Sequence, residues 1–180
     1  MSIARSTRSA RAERIIVPEF VAGIDQLSIE EIRGRRDEAR AEREYLSYLR
    51  RLLQSWEDML AAEKQNRGEP GNFHQPLAEV LSGSLQGGSR GEAVSLSLPE
   101  EDMAEADAQL GKVLGELAFA LPKTLSPEQM EQGMEALREE ERAVSADRAA
   151  VIRAHDRLQD ELKDRYREDP KQIPELPQDA

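Results

Sequence analysis

The sequence predicts an all-α protein, a long antiparallel two-helix coiled-coil hairpin with short accessory helices and disordered ends. Three observations predict it. Ile32, Ala39, Leu46, Leu53 and Leu60 recur every seven residues, with Leu49 and Trp56 at the alternate seam position. Met130, Leu137, Val144, Val151 and Leu158 repeat the same period in the second half. A seven-residue apolar repeat marks a helix that buries one stripe against another helix. Both stretches also open on a capping box, Ser28 with Glu31 and Ser126 with Gln129, the second with Pro127 in its first turn.

In chain order, residues 1–14 are polar and basic, with Arg5, Arg8, Arg11 and Arg14, and read as a disordered arm. Residues 15–27 hold Ile15, Ile16, Val17, Phe20, Val21, Ile24 and Leu27 around Pro18. A short helix from about Pro18 to Ile24 fits there, and it must pack on the long helices or on a partner protein. Ile16, Phe20, Ile24 and Leu27 are the candidate partner-binding residues. The first long helix is expected over 28–66, with Gly34 an interior weak point costing about 1 kcal/mol against alanine. Residues 67–98 are rich in glycine and proline and read as a flexible linker. Residues 99–125 carry Met103, Ala106, Leu110, Val113, Leu114 and Leu117 and read as a short amphipathic helix, interrupted by Gly111 and Gly115, and a connection. The second long helix is expected over 126–169, stopped by Pro170, and 170–180 is an acidic tail. Each long helix has about 40 residues and spans about 60 Å at 1.5 Å per residue. The alternate seam of the second is poor, because Glu140, Asp147, Ala154 and Glu161 occupy it. Packing is therefore expected to be weakest there.

Composition narrows the function classes. With no cysteine there is no disulfide framework and no thiolate metal or redox site. No apolar run approaches a membrane span and no signal-peptide core opens the chain, so the expected location is cytoplasmic. The formal charge of −11 argues against direct DNA binding and favours a basic protein partner. Enzymatic chemistry has little to stand on. Zinc-type histidine pairs, a nucleophile elbow and a phosphate loop are all missing, and the glycines of 82–88 lack the lysine and the strand that such a loop needs. His155 reads as a packed or bridging histidine and His74 falls in the linker. No catalytic residue and no metal are expected.

What the composition leaves is a polar row beside the first seam. Ser47, Arg50, Gln54 and Asp58 are spaced three, four and four residues apart, which stacks them on one helix face. Aligning Leu46 with Val144 matches Ser47 to Ser145, Arg50 to Arg148 and Asp58 to Asp156. Arg43 then matches Glu141, and Gln54 matches Ile152. These rows read either as a binding face or as ordinary solvated charge.

The first row, with Leu46, Tyr48, Leu49, Arg51, Leu52 and Leu53 between and around its members, resembles the actinobacterial anti-sigma factor family RsiG. That family's motif is Glu, three residues, Ser, two residues, Arg, three residues, Gln, three residues, Asp. The resemblance covers about 15–66 and 126–165. It implies a regulator that binds cyclic di-GMP on an antiparallel helical hairpin and sequesters a WhiG-like sporulation sigma factor. It assigns cyclic di-GMP contacts to Ser47, Arg50, Gln54 and Asp58 in the first copy, and to Glu141, Ser145, Arg148 and Asp156 in the second. The chemistry suits that ligand. A carboxylate accepts from the paired donors on a guanine edge, and a guanidinium takes a phosphate or guanine acceptors. Arg43 stands where the first copy has glutamate and Ile152 where the second has glutamine, which implies weaker binding than an intact double motif gives. The alternative is a structural or adaptor coiled-coil protein with no nucleotide ligand.

Overall fold

The computed structural model describes residues 8–68 and 98–170. These contain helices and no strand. Helix α1 is Ala10–Ile15, α2 is Ile29–Gly68, α3 is Glu100–Leu114 and α4 is Pro127–Glu168, with short 3-10 turns between. The fold is all-α, and side-chain bonds join the two long helices α2 and α4, Lys64 to Glu131 in one part of the chain and Arg33 to Tyr166 in another. The expected linker falls mostly outside the described residues, as does the acidic tail beyond Pro170.

Both capping boxes form. The Ser28 hydroxyl accepts from the Glu31 N–H at 3.2 Å while the Glu31 carboxylate accepts from the Ser28 N–H at 2.7 Å. Ser126 and Gln129 repeat the exchange at 3.2 and 2.8 Å. Each box satisfies two amides that have no partner inside the helix, so each long helix starts at a defined residue.

The described residues divide into two compact units. The first holds 44–68 and 98–146. Here Leu46, Leu49, Leu53 and Leu60 of α2 are buried, as are Met130, Leu137 and Val144 of α4. Ion pairs Lys64–Glu131 and Arg138–Glu57, at 2.5 and 2.7 Å, make the pairing antiparallel. Helix α3 lays Ala106, Leu110 and Leu114 onto this core. Gly111 sits inside α3 without breaking it, and the helix stops at Gly115, whose φ of 56° is left-handed. Gly133 marks a close approach, because a Cβ there would lie 3.2 Å from Leu60 Cδ1 and 3.3 Å from Leu117 Cδ1.

The second unit holds 8–43 and 147–170. Ile32 and Ala39 of α2 and Val151, Leu158 and Leu162 of α4 are among its buried residues. The expected disordered arm is here corrected in part. Residues 10–15 are helical, capped by Ser9, and bury Ala12 and Ile15. Three arginines spaced three apart fix that helix: Arg8 to Asp147, Arg11 to Glu42 and Arg14 to Glu38. Arg5 and the rest of 1–7 lie outside the described residues. The helix expected from Pro18 to Ile24 is instead two 3-10 turns, Pro18–Phe20 and Ile24–Gln26, separated by Gly23 at φ 62°. The reason is local: Pro18 opens a turn without a side-chain cap, and a left-handed residue cannot propagate a right-handed helix.

The acids at the alternate seam of α4 each meet a donor. Glu140 is buried and accepts from Gln109 Nε2 of α3 at 2.9 Å, and Gln109 in turn accepts from the Tyr45 hydroxyl at 3.2 Å. Asp147 receives two hydrogen bonds from Arg8, and Glu161 one from Arg165 at 2.9 Å. Each acid that breaks the apolar pattern has its own donor, so none is left as a buried uncompensated charge.

Candidate functional site

Within the first unit, α2 contributes Ser47, Arg50, Gln54 and Asp58, and α4 contributes Glu141 and Ser145. Helix periodicity aligns the first four, and antiparallel pairing brings Glu141 to the middle of their row. Three side chains converge there on a single oxygen, Glu141 Oε1. Arg50 Nε donates to it at 2.9 Å, Ser145 Oγ at 3.0 Å and Gln54 Nε2 at 3.4 Å. Arg50 therefore already faces an anion, Glu141, with no ligand present. The pair is accessible, with side chains 39% and 23% exposed, so water and solutes reach it. Only the Nε of Arg50 is engaged by Glu141, and a guanidinium has four further N–H groups to offer. Asp58 is exposed and forms no hydrogen bond or ion pair with a described residue.

One turn from Glu141 on the same face, Arg138 donates to Glu57 at 2.7 Å. The Glu57 carboxylate holds the Arg138 guanidinium above its ordinary pKa by hydrogen bond and charge. This pair was missed in the sequence, although 138, 141 and 145 follow the same three-and-four spacing as the motif row.

The remaining motif residues lie in the second unit. Arg148 is half-buried, and Asp156 is exposed beside His155, with 3.2 Å between Asp156 Oδ1 and His155 Nδ1. Their neighbours are already engaged. Arg8 holds Asp147, next to Arg148, and the hydrogen bond to that carboxylate raises the Arg8 pKa. Glu42, next to Arg43, is 0% exposed and accepts from Ser9 Oγ at 2.7 Å and Arg11 Nε at 2.5 Å. The signal for Glu42 was in the seam itself, since it stands seven residues before Leu49.

The proposed partner-binding residues divide. Phe20 and Ile24 are buried at 8% and 4% exposure, so they belong to the core of their own unit and are not an open anchor. Ile16 and Leu27 are half-buried. The physical reason is that the short segment buries its apolar side chains on the long helices. Arg35 seals the arrangement by donating to the Phe20 carbonyl at 2.6 Å.

Residues 18–81 match a family model described as RsiG-like. The match covers about a third of the chain, and over that stretch the chain is similar to the RsiG family. It spans the first motif copy and all of α2, the helix that supplies four of the six site residues in the first unit. The likeness is to a family of anti-sigma-type regulators. No curated protein and no solved structure matched the chain. No helix among the described residues is long and apolar enough to cross a membrane.

Proposed function

We propose that this protein is an anti-sigma factor that binds cyclic di-GMP through its polar rows and sequesters a WhiG-like sigma factor in response. The observation that carries the reading is the meeting of Arg50, Gln54 and Ser145 on Glu141 Oε1. It assembles motif residues of both copies from sequence positions about ninety apart, and leaves Asp58 open beside them. A ligand phosphate takes the outer N–H groups of Arg50, and the Asp58 carboxylate accepts from a guanine edge. Glu141 holds the guanidinium in place, so little is lost in ordering it.

A structural coiled coil is the competing reading, and the Arg50–Glu141 bridge favours it, since that bridge ties the two long helices together without any ligand. Calorimetry of the full chain with cyclic di-GMP separates the two. Saturable heat supports the proposal, and none supports the structural reading. Titrating the sigma factor at zero and saturating nucleotide then tests the regulatory half: tighter binding with nucleotide is expected, and equal affinity removes the switch.

A further inference from the structure

All five residue types of the motif occur in the first unit alone. Glu141 supplies the carboxylate, Ser47 and Ser145 the hydroxyls, Arg50 the guanidinium, Gln54 the carboxamide and Asp58 the second carboxylate. The second unit keeps only an arginine and an aspartate of the motif, Arg148 and Asp156. Both departures fall there. Ile152 offers no hydrogen-bonding group where glutamine would stand, and Arg43 puts a cation where glutamate would stand. Two carboxylates of this unit, Glu42 next to Arg43 and Asp147 next to Arg148, serve another purpose. Glu42 is fully buried under Ser9 and Arg11, and Asp147 receives two hydrogen bonds from Arg8. Both hold α1.

We infer that nucleotide binding in this chain is one-sided. The first unit forms the complete recognition face, for one guanine with its phosphate. The matching stretch of the second unit is a docking platform for α1 and takes no nucleotide. The inference rests on the cyclic di-GMP reading and narrows it to one ligand per chain. The chemistry follows from the side chains present. One guanine needs one carboxylate for its donor edge and one guanidinium for its acceptors or phosphate, and Asp58 and Arg50 supply these in one unit.

The test is calorimetry of the full chain with cyclic di-GMP, read for stoichiometry, together with matched variants at the two aspartates. Both are exposed, so alanine at either leaves the core intact, and circular dichroism verifies this. One ligand per chain is expected. Asp58→Ala weakens binding at least about tenfold, the loss of a charge-assisted pair, while Asp156→Ala stays within about twofold. Two ligands per wild-type chain, or equal losses at the two aspartates, overturn the one-sided site while leaving cyclic di-GMP binding intact. No heat from the wild-type chain overturns the nucleotide reading and this inference together. A further arm restores the motif in the second unit with Arg43→Glu and Ile152→Gln. A second ligand in that variant alone supports the inference, because it shows that those two side chains close the face.

Discussion

Glu141 Oε1 accepts three hydrogen bonds, and that crowding predicts how its donors behave when mutated. Arg50 is 39% exposed, so its ion pair is well hydrated and contributes about 0.5–1 kcal/mol to folding. Arg50→Ala is therefore expected to shift the urea midpoint only slightly while lowering cyclic di-GMP affinity at least about tenfold. A large stability loss with unchanged affinity would favour the structural reading. Glu42 predicts the opposite balance. It is fully buried and takes two donors from the α1 region. Glu42→Ala removes the buried carboxylate that accepts from Ser9 and Arg11 and should cost about 2–3 kcal/mol by urea denaturation, with α1 becoming protease-sensitive. At this scale the motif row was legible in the sequence because its residues sit on one helix face. The ion pairs between the two long helices were not. Arg50 with Glu141 and Glu57 with Arg138 depend on the register between two helices, which no local spacing encodes.

At the scale of the element, both long helices were legible to within two residues at each end, because a capping box and a seven-residue seam are local signals. Their consequences are testable. Gly34 lies inside α2, and a Cβ there meets nothing within 4 Å. Gly34→Ala should stabilise the protein by about 0.5–1 kcal/mol in the same urea assay. The Ser28 cap carries a pH signature. Hydrogen bonds from the Ser28 hydroxyl and amide hold the Glu31 carboxyl below its ordinary value of 4.5. A carboxyl whose pKa is lowered by folding stabilises the native state above its unfolded value and loses that contribution as pH falls through the folded value. Ser28→Ala should therefore lower the melting temperature at about pH 6 and have a smaller effect at about pH 3. An equal effect at both values would mean that the carboxylate is not part of the cap. Helix α1 was not legible, because six residues make a helix only when docked, and its docking depends on Glu38, Glu42 and Asp147, far along the chain. Helix α3 was legible as an amphipathic stretch, but Gln109 on its apolar face gains its meaning only from Glu140 and Tyr45.

For the whole molecule, the fold class followed from periodicity, whereas the division into two units with different chemistry did not. The sequence treats the two motif copies as equivalent rows. The structure distributes them so that one unit holds every motif residue type and the other holds α1. If nucleotide drives sigma-factor capture, the two ligands must assist each other equally. Sigma factor should tighten cyclic di-GMP binding by the same factor, about 5- to 150-fold, by which nucleotide tightens sigma binding. Measuring both affinities in both orders checks this. Unequal factors would show that one of the assays is not reporting equilibrium binding.

One arginine near the end of each long helix reaches backbone carbonyls that lie just ahead of the other long helix. Arg67 donates to the carbonyls of Pro122 and Leu125, ahead of α4, and Arg165 donates to those of Ile24, Asp25 and Leu27, ahead of α2. A seam that repeats every seven residues is nearly as well matched when shifted by one repeat, so a folding hairpin can zip up misaligned. The carbonyls at these two places do not repeat, and a shift of one heptad is about 10 Å of travel that no arginine side chain can span. Each arginine thus works as an end stop, rewarding the correct alignment and no other. Removing both should leave the helix content of the finished protein nearly unchanged, yet add a slow refolding phase as misaligned chains open and try again.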